Sequence, residues 1–285
     1  MTQQATSWAA PRPARWYTEP ERASAHGVDV ALRRAGQGPT VVFLHGHWLT
    51  RRWTPFHDSL ASSVDLIAPE LPGFGETALP DWLTDRDDMV LLCRDLLNAL
   101  GLDRVHVAGY GLGGWLAADL AVYYPELVAS LSLIAPFGLR VPDHPIADIF
   151  AANPAAYPRL YFGPDAGPRD MADLVPGAGT PGEGGPEEFA QRYGEMGTAA
   201  RLMWSRRYDT KLDIRLPRLD VPTVVIGGEN DRVVPAPHLD RWAELLNAQQ
   251  VRIPDAGHAV VVQQPERVAA AVADHARSAE EEGAT

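Results

Sequence analysis

Three imidazoles, two carboxylates and one glycine-rich turn hold most of the reactive chemistry of this chain. His45 and His47 fall in "FLHGHW" (43–48), and His258 falls in "DAGHAVVVQQPE" (255–266). Glu229 and Asp231 stand together in "GENDRVVP" (228–235). An imidazole beside a carboxylate is a general base with an orienter, because the carboxylate accepts one ring N–H and leaves the other nitrogen to take a proton. The turn lies in "RVHVAGYGLGGWLAADLAV" (104–122), which reads as a β-branched strand, a tight glycine turn and a helix. Such a turn can lift a nucleophile out of a sheet. Its middle residue is Gly111, which has no hydroxyl. Tyr110 precedes the apex and Leu112 begins the helix, so neither replaces the missing group.

The elements that must position these residues alternate in type. Strand patterns occupy 28–34, 41–45, 64–69, 104–109, 131–136, 223–228 and 250–254, and helix-spaced apolar residues occupy 54–62, 86–100, 112–124, 236–247 and 264–277. Strand–helix alternation with near-continuous apolar strands predicts an α/β fold with a mostly parallel sheet flanked by helices. The early pair of strands around Gly36 predicts an antiparallel hairpin at one edge. The rhythm breaks between Phe137 and about Asp220, a stretch rich in Pro and Gly that includes "GAGTPGEGGPEE". It holds helical spacing at Phe189, Tyr193, Met196 and Ala200, and a structureless loop of that length is implausible in a compact domain. The expected organisation is a core of 21–136 and 221–280, a helical cap at 137–220 and an N-terminal arm at 1–20. The arm and the "SAEEEGAT" tail read as loosely held termini.

Bulk composition excludes several functions. A length of 285 residues suits one α/β domain with an inserted cap. The net charge of -12 and pI near 5.1 argue against a phosphate-backbone ligand, and no Lys/Arg cluster offsets them. The single cysteine, Cys93, excludes an internal disulfide and suits a reducing cytoplasm. It sits among helix-spaced Val90, Leu92, Leu96 and Leu97, the setting of a buried structural thiol. No His, Asp or Glu grouping has metal-ligand spacing, and "PGFGE" lacks the dinucleotide-binding glycine pattern, so no cofactor is expected. The N-terminus has no apolar leader region and no run of about 20 apolar residues follows, which predicts a cytoplasmic protein with no membrane partner.

Four stretches in order, "FLHGHW", "PELPGFGET" (69–77), "AGYGLGGW" (108–115) and the pair at 228–235 and 255–266, resemble the α/β-hydrolase superfamily, particularly its capped esterase, lactonase and carbon–carbon hydrolase branch. The resemblance covers about Val28 to Ala276. It implies that Gly109-Tyr110-Gly111-Leu112-Gly113 is the elbow that carries G-x-S-x-G in that family, with Gly111 in the serine position. No Asp stands there either, which closes the alkyl-enzyme route of dehalogenase-like relatives. The resemblance implies Asp231 as the acid and His258 as the histidine, with Glu229 the weaker acid candidate. It also implies an oxyanion hole formed by the backbone N–H groups of His47 and Leu112. His45 reads as a loop brace. The His47 side chain either enters the pocket, to donate to an oxyanion or shuttle a proton, or turns to solvent. Trp48, Tyr110, Phe137 and Trp204 are the expected lining of an apolar pocket between core and cap, whereas Trp115 reads as ordinary packing.

Three functions fit these residues. The first is an enzyme using a His258–Asp231 dyad and the oxyanion hole without a covalent intermediate, in lyase or cyclase chemistry or by activating water directly. Its expected substrate is a small hydrophobic carbonyl compound, with no nucleic acid or membrane involved. The second is a serine hydrolase inactivated at its nucleophile by mutation to Gly111. The third is a ligand-binding pseudoenzyme, which would have no need of the acid–histidine pair.

Overall fold

The structure is a computed structural model that describes residues 16–167, 170–175, 186–204 and 208–283. Among the described residues, eight strands and ten α-helices follow in chain order. β1 (Glu21–Ala25), β2 (Val28–Ala35) and β3 (Thr40–Leu44) lead to α1 (Pro55–Ala61), β4 (Asp65–Pro69) and α2 (Arg86–Ala99). β5 (Val105–Tyr110), α3 (Leu112–Tyr123) and β6 (Val128–Ile134) follow. Then come α4 (Tyr157–Tyr161), α5 (Met171–Leu174), α6 (Pro186–Met203) and α7 (Leu212–Arg215). β7 (Thr223–Gly228), α8 (Ala236–Leu246), β8 (Gln249–Ile253), α9 (Val260–Gln263) and α10 (Pro265–Gly283) complete the chain.

The strands form one sheet in the order β1-β2-β4-β3-β5-β6-β7-β8. Every pairing from β4 across to β8 is parallel. Central strands β5 and β7 are buried at every residue, as a sheet covered on both faces requires. α1 packs on α10, α2 on α3, and α8 on β7 and β8, so helices flank the sheet.

The antiparallel edge forms one strand earlier than the Gly36 hairpin predicts. β1 pairs with β2 across His26–Gly27, and β2 then pairs antiparallel with β4 rather than with β3. Apolar β3 is buried along almost its whole length and takes a place between two parallel neighbours, β4 and β5. β1, "ERASA", is largely solvent-facing and carries no apolar alternation to announce it.

Neither described terminus is loose. Trp53 N donates to Trp16 O at 2.8 Å, and Arg33 Nε donates to Thr18 O at 3.0 Å, so 16–20 is tied to the core. α10 carries the tail through Gly283, because "SAEEE" is made of residues that tolerate or favour a helix. Residues 1–15 of the arm, 284–285 of the tail and most of "GAGTPGEGGPEE" lie outside the described residues.

Segment 137–220 leaves and rejoins the core at one place. Gly138 and Tyr208 form a parallel bridge, and Asp209 N donates to Gly138 O at 2.8 Å. Beneath that neck, Arg86 of α2 donates to Asp119 of α3 at 2.6 Å, reaches Asp209 at 3.4 Å and stacks over Trp115 at 3.9 Å. Burial raises the Asp119 carboxyl to about 6 despite the Arg86 charge. Farther along, α6 is seated by Glu195, which accepts from Gly75 N and Thr50 Oγ1, both at 2.8 Å. Its carboxyl is also raised, chiefly by burial.

Candidate active site

The glycine elbow sits where strand β5 meets helix α3 at the middle of the sheet. A side chain at Gly109 would collide with the Gly113 carbonyl at 2.2 Å, so the close crossing of strand and helix admits only glycine there. Gly111 turns the corner with φ 56 and ψ -111. Its N–H donates to Ile134 O at 2.9 Å, and its carbonyl accepts from Phe137 N at 3.1 Å. A Cβ built on Gly111 would meet Phe137 Cε2 at 3.4 Å and His258 Nε2 at 3.6 Å, both ordinary contact distances. The elbow therefore has room for a small side chain aimed at the histidine. It has only a hydrogen to put there.

His258 and Asp231 come from the loops after β8 and β7, at the same end of the sheet as Gly111. Nδ1 of His258 lies 2.8 Å from Asp231 Oδ2. The other carboxylate oxygen accepts from Val233 N and Val234 N, each at 2.8 Å, which fixes the plane of the carboxylate. A carboxylate oxygen accepts, so Nδ1–H is the donor of this bond and Nε2 is the nitrogen turned away from the pair. Nε2 is buried and makes no hydrogen bond among the described residues. Tyr110 holds the loop from below, its hydroxyl donating to the His258 carbonyl at 3.0 Å. Glu229 is exposed and takes no part in this pair.

The second imidazole points inward. His47 is 2% exposed, and its Nε2 shares a hydrogen bond of 2.9 Å with the Tyr161 hydroxyl. The solvent-facing alternative fails because Trp48, Phe137 and Tyr161 rings enclose it at 4.5, 6.2 and 6.0 Å. Burial first, then nearby His258 and His45, lower its pKa to about 3. His45 acts as the expected brace: its Nε2 accepts from Leu71 N at 3.0 Å, and its Nδ1 bonds to the Gly46 carbonyl. Leu112 is the first residue of α3, so its N–H has no carbonyl a turn earlier to bond and points toward the end of the helix. Cys93 is buried, its thiol pushed up to about 12 by desolvation.

Of the four expected lining residues, three gather at this site. Tyr110 and Phe137 pack against the His258 ring at 5.3 and 5.4 Å, and Trp48 covers His47. Trp204 does not. It is 56% exposed and leans on Phe150 at 5.5 Å, one residue past the buried Leu202–Met203 end of α6. Trp115 is fully buried packing, as expected.

Beyond Trp48 lies a cavity of about 560 Å³, lined by Tyr157, Pro158, Met171, Val175 and Met196, with Arg192, Phe189 and Tyr193 on α6 also at its walls. The sequence reading singled out Phe189, Tyr193 and Met196 as a helical stripe. Phe189 and Tyr193 are exposed at 63% and 75% rather than packed in a core. Tyr157 and Tyr161 were missed. Their spacing of four in "YPRLY" puts both on one face of α4, a signal diluted by the surrounding Pro and Gly. Among the described residues, no group of His, Cys, Asp and Glu is arranged to hold a metal ion, and no helix is long and apolar enough to cross a membrane.

This fold has counterparts in known proteins. The model of the Alpha/beta hydrolase family matches residues 41–271, and the chain belongs to that family. It is 27% identical over 262 residues to the 2-hydroxy-6-oxo-6-(2'-aminophenyl)hexa-2,4-dienoic acid hydrolase of Metapseudomonas resinovorans, covering 85% of this chain and 86% of that one. It is 28% identical over 257 residues to the 2-hydroxy-6-oxo-2,4-heptadienoate hydrolase of Pseudomonas putida, covering 84% and 90%. An uncharacterized protein of Mycobacterium tuberculosis is 35% identical over 120 residues, and that match spans 34% of its length and 40% of this chain. Among solved structures, a thermophilic esterase from Thermogutta terrifontis with malate bound superposes at a TM-score of 0.66 and 26% identity, covering 92% of this chain and 99% of that one. A meta-cleavage product hydrolase from Pseudomonas fluorescens IP01 superposes at 0.69 and 22% identity, covering 92% and 98%, a likeness of fold. The chain is thus an α/β-hydrolase-fold protein related to carbon–carbon hydrolases and esterases.

Proposed function

We propose that this protein is a cofactor-free enzyme that performs non-covalent acid–base chemistry on a small hydrophobic carbonyl compound. His258 is the base and Asp231 its orienter. One observation carries the reading: His258 Nε2 is buried, makes no hydrogen bond among the described residues and faces the space that a side chain at Gly111 would fill. A base so placed reaches either a C–H beside the substrate carbonyl or a water lodged over Gly111. The first path gives lyase or cyclase chemistry, the second direct hydrolysis. In both, negative charge grows on the carbonyl oxygen, and the N–H groups of Leu112 and His47 are the proposed donors to it. Asp231 stabilises the imidazolium that forms. Segment 137–220 is the proposed cap, and the cavity behind Trp48 takes the apolar part of the substrate. The relatives' names, hydrolases of hydroxy-oxo-dienoic acids, favour an unsaturated ketone or β-diketone over a simple alkyl ester.

Hydrogen–deuterium exchange at the central carbon of benzoylacetone, an apolar β-diketone, tests the base directly. Wild type accelerates exchange, and His258→Ala loses the acceleration. Equal rates in the two proteins refute the reading.

A second reading, a serine-hydrolase frame without its nucleophile, is favoured by the 3.6 Å between a Cβ at Gly111 and His258 Nε2. Under it, Gly111→Ser gains turnover of aryl esters that wild type lacks. If instead benzoylacetone exchange in wild type depends on His258 and survives the serine, the dyad reading stands.

A further inference from the structure

A base that removes a proton leaves the other half of the reaction unassigned, because the oxygen that takes up the electron pair must itself be neutralised. We infer that Tyr161 of α4 is the proton donor of this site, with His47 holding its hydroxyl in place. The inference rests on His258 being the base.

Tyr161 is fully buried, and it touches both imidazoles: its hydroxyl lies 2.9 Å from His47 Nε2, and its ring stands edge-on to His258 at 5.3 Å. Both imidazoles also pack on Phe137. The two imidazoles and the phenol are therefore neighbours gathered around Phe137, whose ring and the His258 ring are what a side chain at Gly111 would meet. Backbone contacts fix the tyrosine there independently of its side chain. The Tyr161 carbonyl accepts from Ala259 N at 2.8 Å, and a side chain at Gly257 would collide with that carbonyl at 2.5 Å. α4 is thereby pinned to the loop that carries His258. Packing alone would be served by a phenylalanine, whereas here a fully buried hydroxyl meets a buried neutral imidazole.

The protonation states suit a neutral acid. Burial raises the Tyr161 phenol well above its ordinary value, and His47 stays unprotonated over the same range. Tyr161 thus keeps its proton until a basic oxygen is generated beside it. In its Nε2–H tautomer, His47 then donates to the phenolate that forms. The balance closes. His258 takes one proton from carbon or water, and Tyr161 gives one to the substrate oxygen. After product leaves, the imidazolium returns its proton to the phenolate.

Ring-opening of benzisoxazoles reads both halves at once: a base removes the C3 proton, the N–O bond breaks, and an acid assists the departing phenoxide. Rates are to be measured for the 5-nitro, 5-chloro and unsubstituted compounds in wild type, Tyr161→Phe and His258→Ala. Removing a general acid is expected to cost roughly 10-fold or more with the poorest leaving group and under about 2-fold with 5-nitro, because help matters most where phenoxide is most basic. A loss in Tyr161→Phe that is equal across the three, or absent, overturns the inference and leaves the His258 base standing. Wild type no faster than His258→Ala overturns both. Far-UV circular dichroism of Tyr161→Phe, which keeps the buried ring, checks that the fold is retained.

Discussion

The floor of the site and the segment above it are built on different principles. The floor, Gly111, Asp231 and His258, hangs from the ends of β5, β7 and β8: backbone groups hold Gly111 and the Asp231 carboxylate, and the Tyr110 hydroxyl holds the His258 carbonyl. The upper segment is a set of helices seated largely by side chains, Glu195 on Gly75, Tyr161 on His47, Met196 and Met171 around a cavity, with the Tyr161 carbonyl also accepting from Ala259 N. A frame made of backbone can be aimed to a fraction of an ångström, as electrostatic catalysis requires. A frame made of side chains can change its lining at little cost to the sheet. The proposed base stands in the first region, and the proposed proton donor and the cavity lining stand in the second.

The sharpest way to break that division is at Asp231. Asp231→Asn keeps the volume but no longer demands a proton on His258 Nδ1, so base activity on benzoylacetone should fall on the order of 10²-fold or more. A loss below about threefold would mean that the floor does not work as a pair.

Acid provides the next test. His45, His47 and His57 are buried, with pKa values lowered by desolvation to about 4, 3 and 3. The unfolded chain takes up protons on these groups below about pH 6.5 and the folded one does not, so stability is lost as pH falls toward 4. Each contributes on the order of 2 kcal/mol of loss between pH 7 and 5. Asp119 and Glu195, with raised values, run the other way in the same window and offset part of it. Urea midpoints should therefore drop clearly from pH 7 to pH 5. A flat profile would show that these three imidazoles are not held neutral by burial.

Gly111→Ser sharpens the comparison from inside the floor. At φ 56 any side chain costs roughly 1 kcal/mol, read as a modest drop in melting temperature. Mass spectrometry after a fluorophosphonate should find no adduct on wild type and one on the serine variant, if oxyanion donors and His258 are assembled as described. The smallest effect belongs on the outer surface of the upper segment. Trp204→Ala, at an exposed ring, should move stability by no more than about 0.5 kcal/mol and leave benzoylacetone exchange unchanged.

The two regions also differed in how far residue order announced them. Strand–helix alternation located seven of eight strands, and the motifs at 43–48, 108–115, 228–235 and 255–266 led to residues that the fold brings together. Strong local constraints write themselves into sequence as glycine spacing and apolar runs. β1 escaped because an edge strand facing water has no apolar alternation. Trp204 was misplaced because an aromatic residue in a helical segment does not say which way it faces. Tyr161 was overlooked because its partner, His47, lies 114 residues away and only the closed sheet joins them.

The neck at Gly138 and Tyr208 has a consequence for how such proteins diversify. A polypeptide that departs and returns through one bridged point can be lengthened, shortened or exchanged without moving any strand. The family fold can thus be re-equipped by swapping a single insert. Grafting segment 139–207 between relatives should transplant substrate preference, and with it whatever stands at the position of Tyr161, while the recipient keeps its own histidine–carboxylate pair.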